Sequence, residues 1–565
     1  MALGFGLALT SYRKAAGGGG GGSSTDPYFS SVPLLLNTTS TNGQQNNTFL
    51  DSSTNNFTIT RNGTPTQGSF TPYQPSGYWS NYFNGTTQYV SVGGTTSLSA
   101  NFTIEFWFFP SSAANSNFFG IDDTQNPNSL ACTYNAGAPS IVVFADAGTP
   151  IGGGAPVVLN SWNHVALVRS SSTVTVYVNG IQKATGSVPN SISGSLQIGR
   201  WLDSGSYTNG ITGYMSNFRV SNTNIYSGST FTVPTSPLTS SANTLLLTLQ
   251  DNRVKDNSSS PKTLTVSGSP PVQAFQPFSP AASYSAATYG GSGYFNGSTD
   301  WLSAPSNAAF SFGTGDFTIE YWLFPISFST SPTLVDLRNI DSSPTGYSDY
   351  YSTAGKFNIY IPYSTIYTSS ATLATNTWTH VAVARQGTTI RVFINGVLDG
   401  TVSNSTNFTD TYCGLYRGWG SGGGGNYFNG YGSNLRIVKG TAIYTSSFTP
   451  PTTPLTAVSG TSLLTNFANA GIYDAAWQNN ALTMGDAQVS TTQKQWGTTS
   501  MKFDGTGDWL TALDSPGLQL GSGDFTIEGW VYLSATGVAY GLISKGTAST
   551  GWSVNVTSGN KLQFS

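Results

Sequence analysis

Two stretches of the chain alternate apolar and polar residues with period two. They are Val174, Val176 and Val178 before Asn179-Gly180, and Ile390, Val392 and Ile394 before Asn395-Gly396. Such alternation turns one face of a strand into a core and leaves the other outside it. The Asn-Gly that follows predicts a two-residue hairpin turn, whose central positions both take positive φ. The same signal closes Tyr82-Phe83-Asn84-Gly85 and Tyr294-Phe295-Asn296-Gly297, and Asp-Gly replaces it in Lys502-Phe503-Asp504-Gly505. Short apolar runs predict further strands at Val32-Pro33-Leu34-Leu35-Leu36, Leu245-Leu246-Leu247 and Leu463-Leu464. The chain reads as all-β.

These elements repeat. Asn101-Phe102-Thr103-Ile104-Glu105-Phe106-Trp107 returns as Asp316-Phe317-Thr318-Ile319-Glu320-Tyr321-Trp322 and as Asp524-Phe525-Thr526-Ile527-Glu528-Gly529-Trp530, and these stretches hold the chain's three glutamates. Glu105 and Glu320 lie 215 residues apart and Glu320 and Glu528 lie 208 apart, the scale of one whole domain. Two further motifs occur twice: Trp162-Asn163-His164-Val165-Ala166-Leu167-Val168-Arg169 with Trp378-Thr379-His380-Val381-Ala382-Val383-Ala384-Arg385, and Gly213-Tyr214-Met215-Ser216-Asn217-Phe218-Arg219 with Gly430-Tyr431-Gly432-Ser433-Asn434-Leu435-Arg436. With each apolar run opening a unit, the boundaries fall at 1–31 for an N-terminal segment and at 32–239, 240–458 and 459–565 for three domains. Proline-rich connections at Val233-Pro234 to Leu238 and at Pro450-Pro451 to Leu455 should stiffen the junctions, so the units are expected to sit like beads with little swing.

Composition narrows the partners. Only 8% of residues are charged and the net charge is −3, so the chain lacks the basic stripe that nucleic acid requires. Cys132 and Cys413 stand at non-equivalent positions in different units and are expected to be buried free thiols. The apolar Leu3, Phe5, Leu7 and Leu9 precede Arg13 and Lys14, the wrong polarity for a secretory signal, and the run is too short to span a bilayer. It reads as a docking peptide on a flexible tether, Gly17 to Gly22. Neither nucleic-acid binding nor membrane insertion is expected.

The ordered set Phe-(Asn/Asp)-Gly, (Asp/Asn)-Phe-Thr-Ile-Glu-x-(Trp), Trp-x-His-Val-Ala-x-x-Arg and Gly-Tyr-x-Ser-Asn-x-Arg resembles the laminin-G-like branch of the concanavalin A-like lectin/glucanase superfamily. The resemblance implies tandem jelly-roll sandwiches of two antiparallel sheets. Such arrays behind a short Gly-rich N-terminus resemble fibre and appendage proteins of tailed bacteriophages. That implies a non-enzymatic protein on the virion surface, held to a capsid or tail protein by its N-terminus, forming homo-oligomers and touching host-surface glycans. The alternative is a secreted or surface-attached bacterial polysaccharide-binding adhesin or hydrolase accessory protein. Glu320 precedes Trp378 by 58 residues, so the counterpart of that tryptophan in the third unit would fall past Ser565. The third sandwich is therefore expected to be incomplete, with the natural chain continuing.

Candidate sites follow from residue chemistry. Glu105 with Arg169, and Glu320 with Arg385, recur together and are read as structural ion pairs bridging neighbouring strands rather than catalytic groups, because glycoside hydrolysis needs two flanking carboxyls and the Glu-x-Asp-x-x-Glu run of the superfamily's hydrolases is missing. His164 and His380 are read as satisfied core imidazoles. The resemblance makes calcium the one cofactor to consider, with Asp300, Asp316, Asp508 and Asp524 as oxygen donors and turn capping as the competing role. Glycan contact is assigned to aromatic and amide groups in variable loops: Arg200, Trp201, Asp203, Tyr207 and Asn209, with Arg417, Trp419, Tyr427 and Asn429 as counterparts. A tryptophan packed back on the sheet is the competing role for Trp201.

Overall fold

The computed structural model describes residues 34–565 except 112–113, 136–139, 146–148, 153–156, 160, 189, 209, 269, 275–283, 330, 362–363, 419–424, 475–480, 496, 513–517, 519–524 and 547–550. The docking peptide with Leu3, Phe5, Leu7 and Leu9 lies outside the described residues, as do Asn209, Trp419 and Asp524. The described part is nearly all-β, with short helical turns at Ala286–Tyr289 and Ala308–Phe310, and each of the first two units is a sandwich of two antiparallel sheets. Among the described residues no helix is long and apolar enough to cross a membrane.

In unit one the motif strand Phe102–Pro110 is buried throughout. It lies between Asn163–Ser170 and Thr212–Ser221, and Thr173–Val178 and Ile181–Ser187 extend the sheet beyond Asn163–Ser170. Phe102, Ile104, Phe106 and Phe108 enter the core with Val174, Val176 and Val178, which is the alternation the sequence carries. The facing sheet runs, in spatial order, Thr149–Gly152, Ser140–Ala145, Leu130–Asn135, Ser116–Ile121, Leu196–Ile198, Tyr89–Val92 and Leu264–Ser267. Unit two repeats both sheets strand for strand, with Ile390, Val392 and Ile394 in its core. Cys132 and Cys413 are free and buried, one in each core.

The leucine-rich strands do not open the units. Thr244–Thr248 pairs with Thr212–Ser221 and closes unit one, and Thr461–Thr465 pairs with Asn429–Lys439 and closes unit two. Leu36–Thr38 pairs with Ile472–Asp474, at the start of unit three. The strands next along the chain also cross between units. Leu264–Ser267 and Val272–Gln273 join Tyr89–Val92 and Ser80–Asn84 of unit one, whereas Thr60–Asn62 and Thr66–Gly68 take the same two places in unit two, beside Trp301–Ala304 and Ser292–Asn296. The boundaries 32–239 and 240–458 are corrected accordingly. An edge strand is accepted wherever a row of backbone donors and acceptors is unpaired, so its own pattern does not say which sheet it joins.

The beads are also closely joined. Phe70, Tyr73 and Trp79 form one apolar cluster with Trp322, Phe324, Trp378 and Tyr431 of unit two. The Phe70 ring lies 4.9 Å from Tyr431, 5.0 Å from Phe324 and 5.3 Å from Trp378. A shared aromatic layer of this kind joins the two units by direct packing as well as by the proline-rich linker.

One buried acid separates the two cores. Asp349 is fully buried, accepting the Val335 N–H at 3.0 Å and the Tyr347 hydroxyl at 3.0 Å. Burial pushes its carboxyl up to about 7, only partly offset by these hydrogen bonds. A raised acid is protonated in the fold and ionised in the unfolded chain, so its stabilising effect is complete below the unfolded value and lost as pH rises towards 7. At about 1.4 kcal/mol per unit the loss is on the order of 4 kcal/mol. Asp349→Asn should abolish this slope, so that urea midpoints of the variant and the parent diverge between pH 4 and pH 7; parallel midpoints would refute it.

Candidate functional site

The repeated glutamate sits on the face of its strand that points away from the sandwich core. Opposite it lies Arg219, not Arg169. Thr212–Ser221 carries a bulge between Ser216 and Arg219, and Asn217 within it has φ 53°, a left-handed value that asparagine tolerates. The bulge sets Arg219 across from Glu105, whereas Arg169 pairs in register with Phe102. Glu105 Oε1 accepts Nε and Nη2 of Arg219 at 2.9 and 2.5 Å, and Oε2 accepts Tyr226 OH at 2.7 Å and His164 Nε2 at 3.1 Å. Arg169 instead donates to the carbonyls of Ser171 and Asn190. Unit two repeats the set: Glu320 is held by Arg436 at 2.9 and 2.5 Å and by Tyr444 OH at 2.8 Å, with His380 Nε2 at 3.3 Å. Arg385 turns to the carbonyls of Gly313, Gly315 and Thr406. Both proposed pairings with Arg169 and Arg385 are therefore corrected.

Glu105 and Glu320 have no exposed surface. Burial raises their carboxyls, but the hydrogen bond from the histidine and the arginine charge outweigh it and hold both below the usual range. Tyr226 stacks on Phe231 at 3.8 Å and Tyr444 on Phe448 at 3.7 Å, so each network pins the segment that follows its strand onto the sheet. Both histidines are buried, but on the glutamate's face outside the sandwich cores and with Nδ1 unpartnered among the described residues, which corrects their reading as satisfied core groups. Glu528 of the third copy is exposed.

The outer face of the seven-stranded sheet carries a different constellation. The Arg200 Cζ lies 3.2 Å from the centre of the Tyr89 ring and 3.5 Å from that of Tyr207, so the flat guanidinium is clamped between two tyrosines. In unit two Arg417 lies 4.5 Å from the centre of Trp301 and 5.7 Å from that of Tyr427. Gly199 with φ 87° and Tyr416 with φ 67° make the same left-handed step before each arginine. Tyr89 and Trp301 each begin the same strand of the sheet and are the residues sequence reading missed. Tyr207 is 52% exposed, which leaves its ring open to a ligand.

The remaining assignments divide. Trp201 is corrected: its side chain is buried with the ring edge-on to Phe144 at 5.2 Å, and its backbone passes so close to Gly120 that a Cβ there would come within 2.6 Å of the Trp201 Cβ. Asp203 accepts Thr124 Oγ and Gln125 Nε2, and Asn429 donates to Ser327 Oγ, so both brace their loops. Asp300 is buried and accepts the backbone N–H of Thr64 and Asn296. Asp316 accepts the Gly387 N–H at 2.8 Å, and its unit-one counterpart Asn101 accepts the Ser171 N–H at 3.0 Å, the same turn closed by an amide. These oxygens close turns, the role weighed against calcium ligation. Asp508 accepts backbone N–H groups of Asp486 and Asp504, whose carboxylates gather near it.

A family model described as the concanavalin A-like lectin/glucanases superfamily matches residues 84–226 and 296–443, just over half of the chain. The chain belongs to that superfamily. Its two matched stretches hold both arginine clamps, the Glu105 network, and Glu320, His380 and Arg436 of the second network, with Tyr444 one residue past the match. No curated protein matches the chain. Among solved structures it is similar to a heptameric SAP-like pentraxin from Limulus polyphemus, at 17% identity over 26% of this chain and 77% of that one, with a TM-score of 0.23. The mouse laminin alpha1 chain domains LG4-5 share 12% identity over 72% of this chain and 96% of theirs, with a TM-score of 0.23. Domain 4 of an extracellular GH43 arabinanase from Geobacillus stearothermophilus, in complex with arabinotriose, shares 18% identity over 26% and 71%, with a TM-score of 0.22. At these TM-scores none of the three bears on function.

Proposed function

We propose that this superfamily member is a non-enzymatic, multivalent carbohydrate-binding appendage whose first two sandwiches each present one glycan site. The observation that carries the reading is the pair of matched clamps, Arg200 with Tyr89 and Tyr207, and Arg417 with Trp301 and Tyr427, on the outer faces of two equivalent sheets. A sugar ring offers apolar C–H patches to an aromatic face and hydroxyls to guanidinium donors. The sealed state of Glu105 and Glu320 supports the non-enzymatic reading, because a general acid must reach its substrate. Two weak sites on one chain, and more on an oligomer, raise the apparent affinity by about 10²–10⁴.

In the same proposal the segment with Leu3, Phe5, Leu7 and Leu9 attaches the chain to a capsid or tail protein of a tailed phage, and the domains face the host-surface glycan. The tether Gly17 to Gly22 and the absence of a basic stripe are consistent with that placement. A glycan array probed with the full chain tests the binding claim: Tyr89→Ala combined with Trp301→Ala should lower retained signal at least tenfold, and an unchanged signal would sink it. Co-sedimentation of the chain with particles, with and without residues 1–16, tests the attachment.

A further inference from the structure

The two clamps differ in the charge around them. In unit one Arg200 pairs with no carboxylate among the described residues, and its in-plane donors reach only the Gln197 Oε1 amide oxygen, at 3.3 and 3.4 Å. That oxygen also accepts the Ser91 hydroxyl at 2.7 Å, so it is shared. The three acids of the neighbouring loops are engaged elsewhere: Asp122 on the Asp123 N–H, Asp123 on the N–H groups of Gln125, Ser204 and Gly205, and Asp203 on Thr124 and the Gln125 amide. Both flat faces of the guanidinium are covered by tyrosine and its Nε–Nη2 edge rests on Gln197, which leaves the Nη1–Nη2 edge as the part that can act. In unit two, by contrast, Arg417 lines one small cavity with Asp336, Tyr412 and Gly418. A carboxylate is already beside it, itself gripped by Arg338 at 2.8 and 2.7 Å.

We infer that the unit-one clamp selects a carboxylate-bearing saccharide, and that Arg200 is the residue that reads the acid. The edge of a guanidinium offers two parallel N–H donors at the spacing of the two oxygens of a carboxylate, which a lysine ammonium does not. The two stacked tyrosines fix the plane of that fork before the ligand arrives, so little side-chain freedom is lost on binding. Tyr207, half exposed beside the fork, is placed to receive the sugar ring that carries the acid. In unit two Arg417 already shares its cavity with Asp336, so its guanidinium is not left to read an acid and that site shows no preference for one. This inference rests on the glycan-binding reading above.

The test uses the full chain on an array holding acidic oligosaccharides and the same compounds with each carboxyl reduced to the alcohol. The parent chain should retain the acidic forms at least tenfold better than the reduced forms. Arg200→Gln should lose that preference, Arg200→Lys should lose most of it, and Arg417→Gln should keep it, with near-ultraviolet circular dichroism confirming that each variant is folded. Equal retention of acidic and reduced forms by the parent chain would overturn the inference while leaving glycan binding intact. Binding of no saccharide at all would overturn the glycan-binding reading and this inference with it.

Discussion

Deleting residues 34–70 should open the edges of unit two and leave unit one folded. The deleted stretch supplies the last strand of each unit-two sheet, Thr60–Asn62 and Thr66–Gly68. It also removes Phe49, buried in the unit-two core 5.8 Å from Phe467, and Phe70 from the layer over Trp378. Loss of Phe70 alone, as Phe70→Ala, should cost about 3 kcal/mol, the low end for phenylalanine because its ring is partly exposed. Together these losses approach the whole stability of a typical domain, about 5–15 kcal/mol. Hydrogen exchange followed by mass spectrometry reads the outcome directly. Amides in Ser292–Asn296 and Trp301–Ala304 should lose protection, while those in Ser80–Asn84 and Tyr89–Val92 should keep it. The reverse pattern would return residues 60–68 to unit one and dissolve the exchange.

The exchange is held by one recurring lock. Asp300 accepts the Thr64 N–H at 2.6 Å, Asp508 accepts the Asp486 N–H at 2.7 Å, and Gln88 donates to the Gly268 carbonyl at 3.0 Å. Unit three thus closes on its own preceding segment, and units one and two close on each other's. Because the segments before the units resemble one another and fit the same edge, the choice between them is a matter of chain path and interface burial, neither of which local sequence expresses.

What local sequence does express came through where one physical rule governs it. Alternation at Val174 to Val178 and Ile390 to Ile394 fixes which face is core, because side-chain direction reverses at every residue of a strand. The glutamate's partner was misjudged for a matching reason: a register is needed to pair two strands, and a bulge had shifted it. The signal was present in Ser216-Asn217-x-Arg219 and Ser433-Asn434-x-Arg436, where asparagine repeats at a left-handed position with φ 53° and 49°. Arg200 and Tyr207 were legible as neighbours in one loop, but Tyr89 lies more than a hundred residues before them and joins only through the sheet. Trp201 reads as a platform because nothing in its own loop announces Phe144, the ring it packs against.

Replacing Glu320 should be the most damaging single substitution in unit two. Glu320→Ala strands a buried guanidinium, a tyrosine hydroxyl and an imidazole around a cavity, and breaking a buried pair in this way costs about 3–5 kcal/mol. Glu320→Gln keeps the volume and one acceptor, so it should cost less and leave Tyr444 in place over the sheet. The equivalent Glu105→Ala should cost less than Glu320→Ala, since the Arg219 side chain is 12% exposed against 7% for Arg436 and water can reach it more readily. The pH dependence has a definite sign. The Glu320 carboxyl is held below its ordinary range in the fold, so its contribution is present above the unfolded value and is lost as pH falls through the folded one. Acid titration of urea midpoints should therefore show a fall below about pH 4.5 in the parent that is absent from Glu320→Gln. A structural role also predicts that Glu320→Gln leaves glycan retention intact. Loss of retention in a fully folded Glu320→Gln chain would instead make this carboxylate part of the binding chemistry.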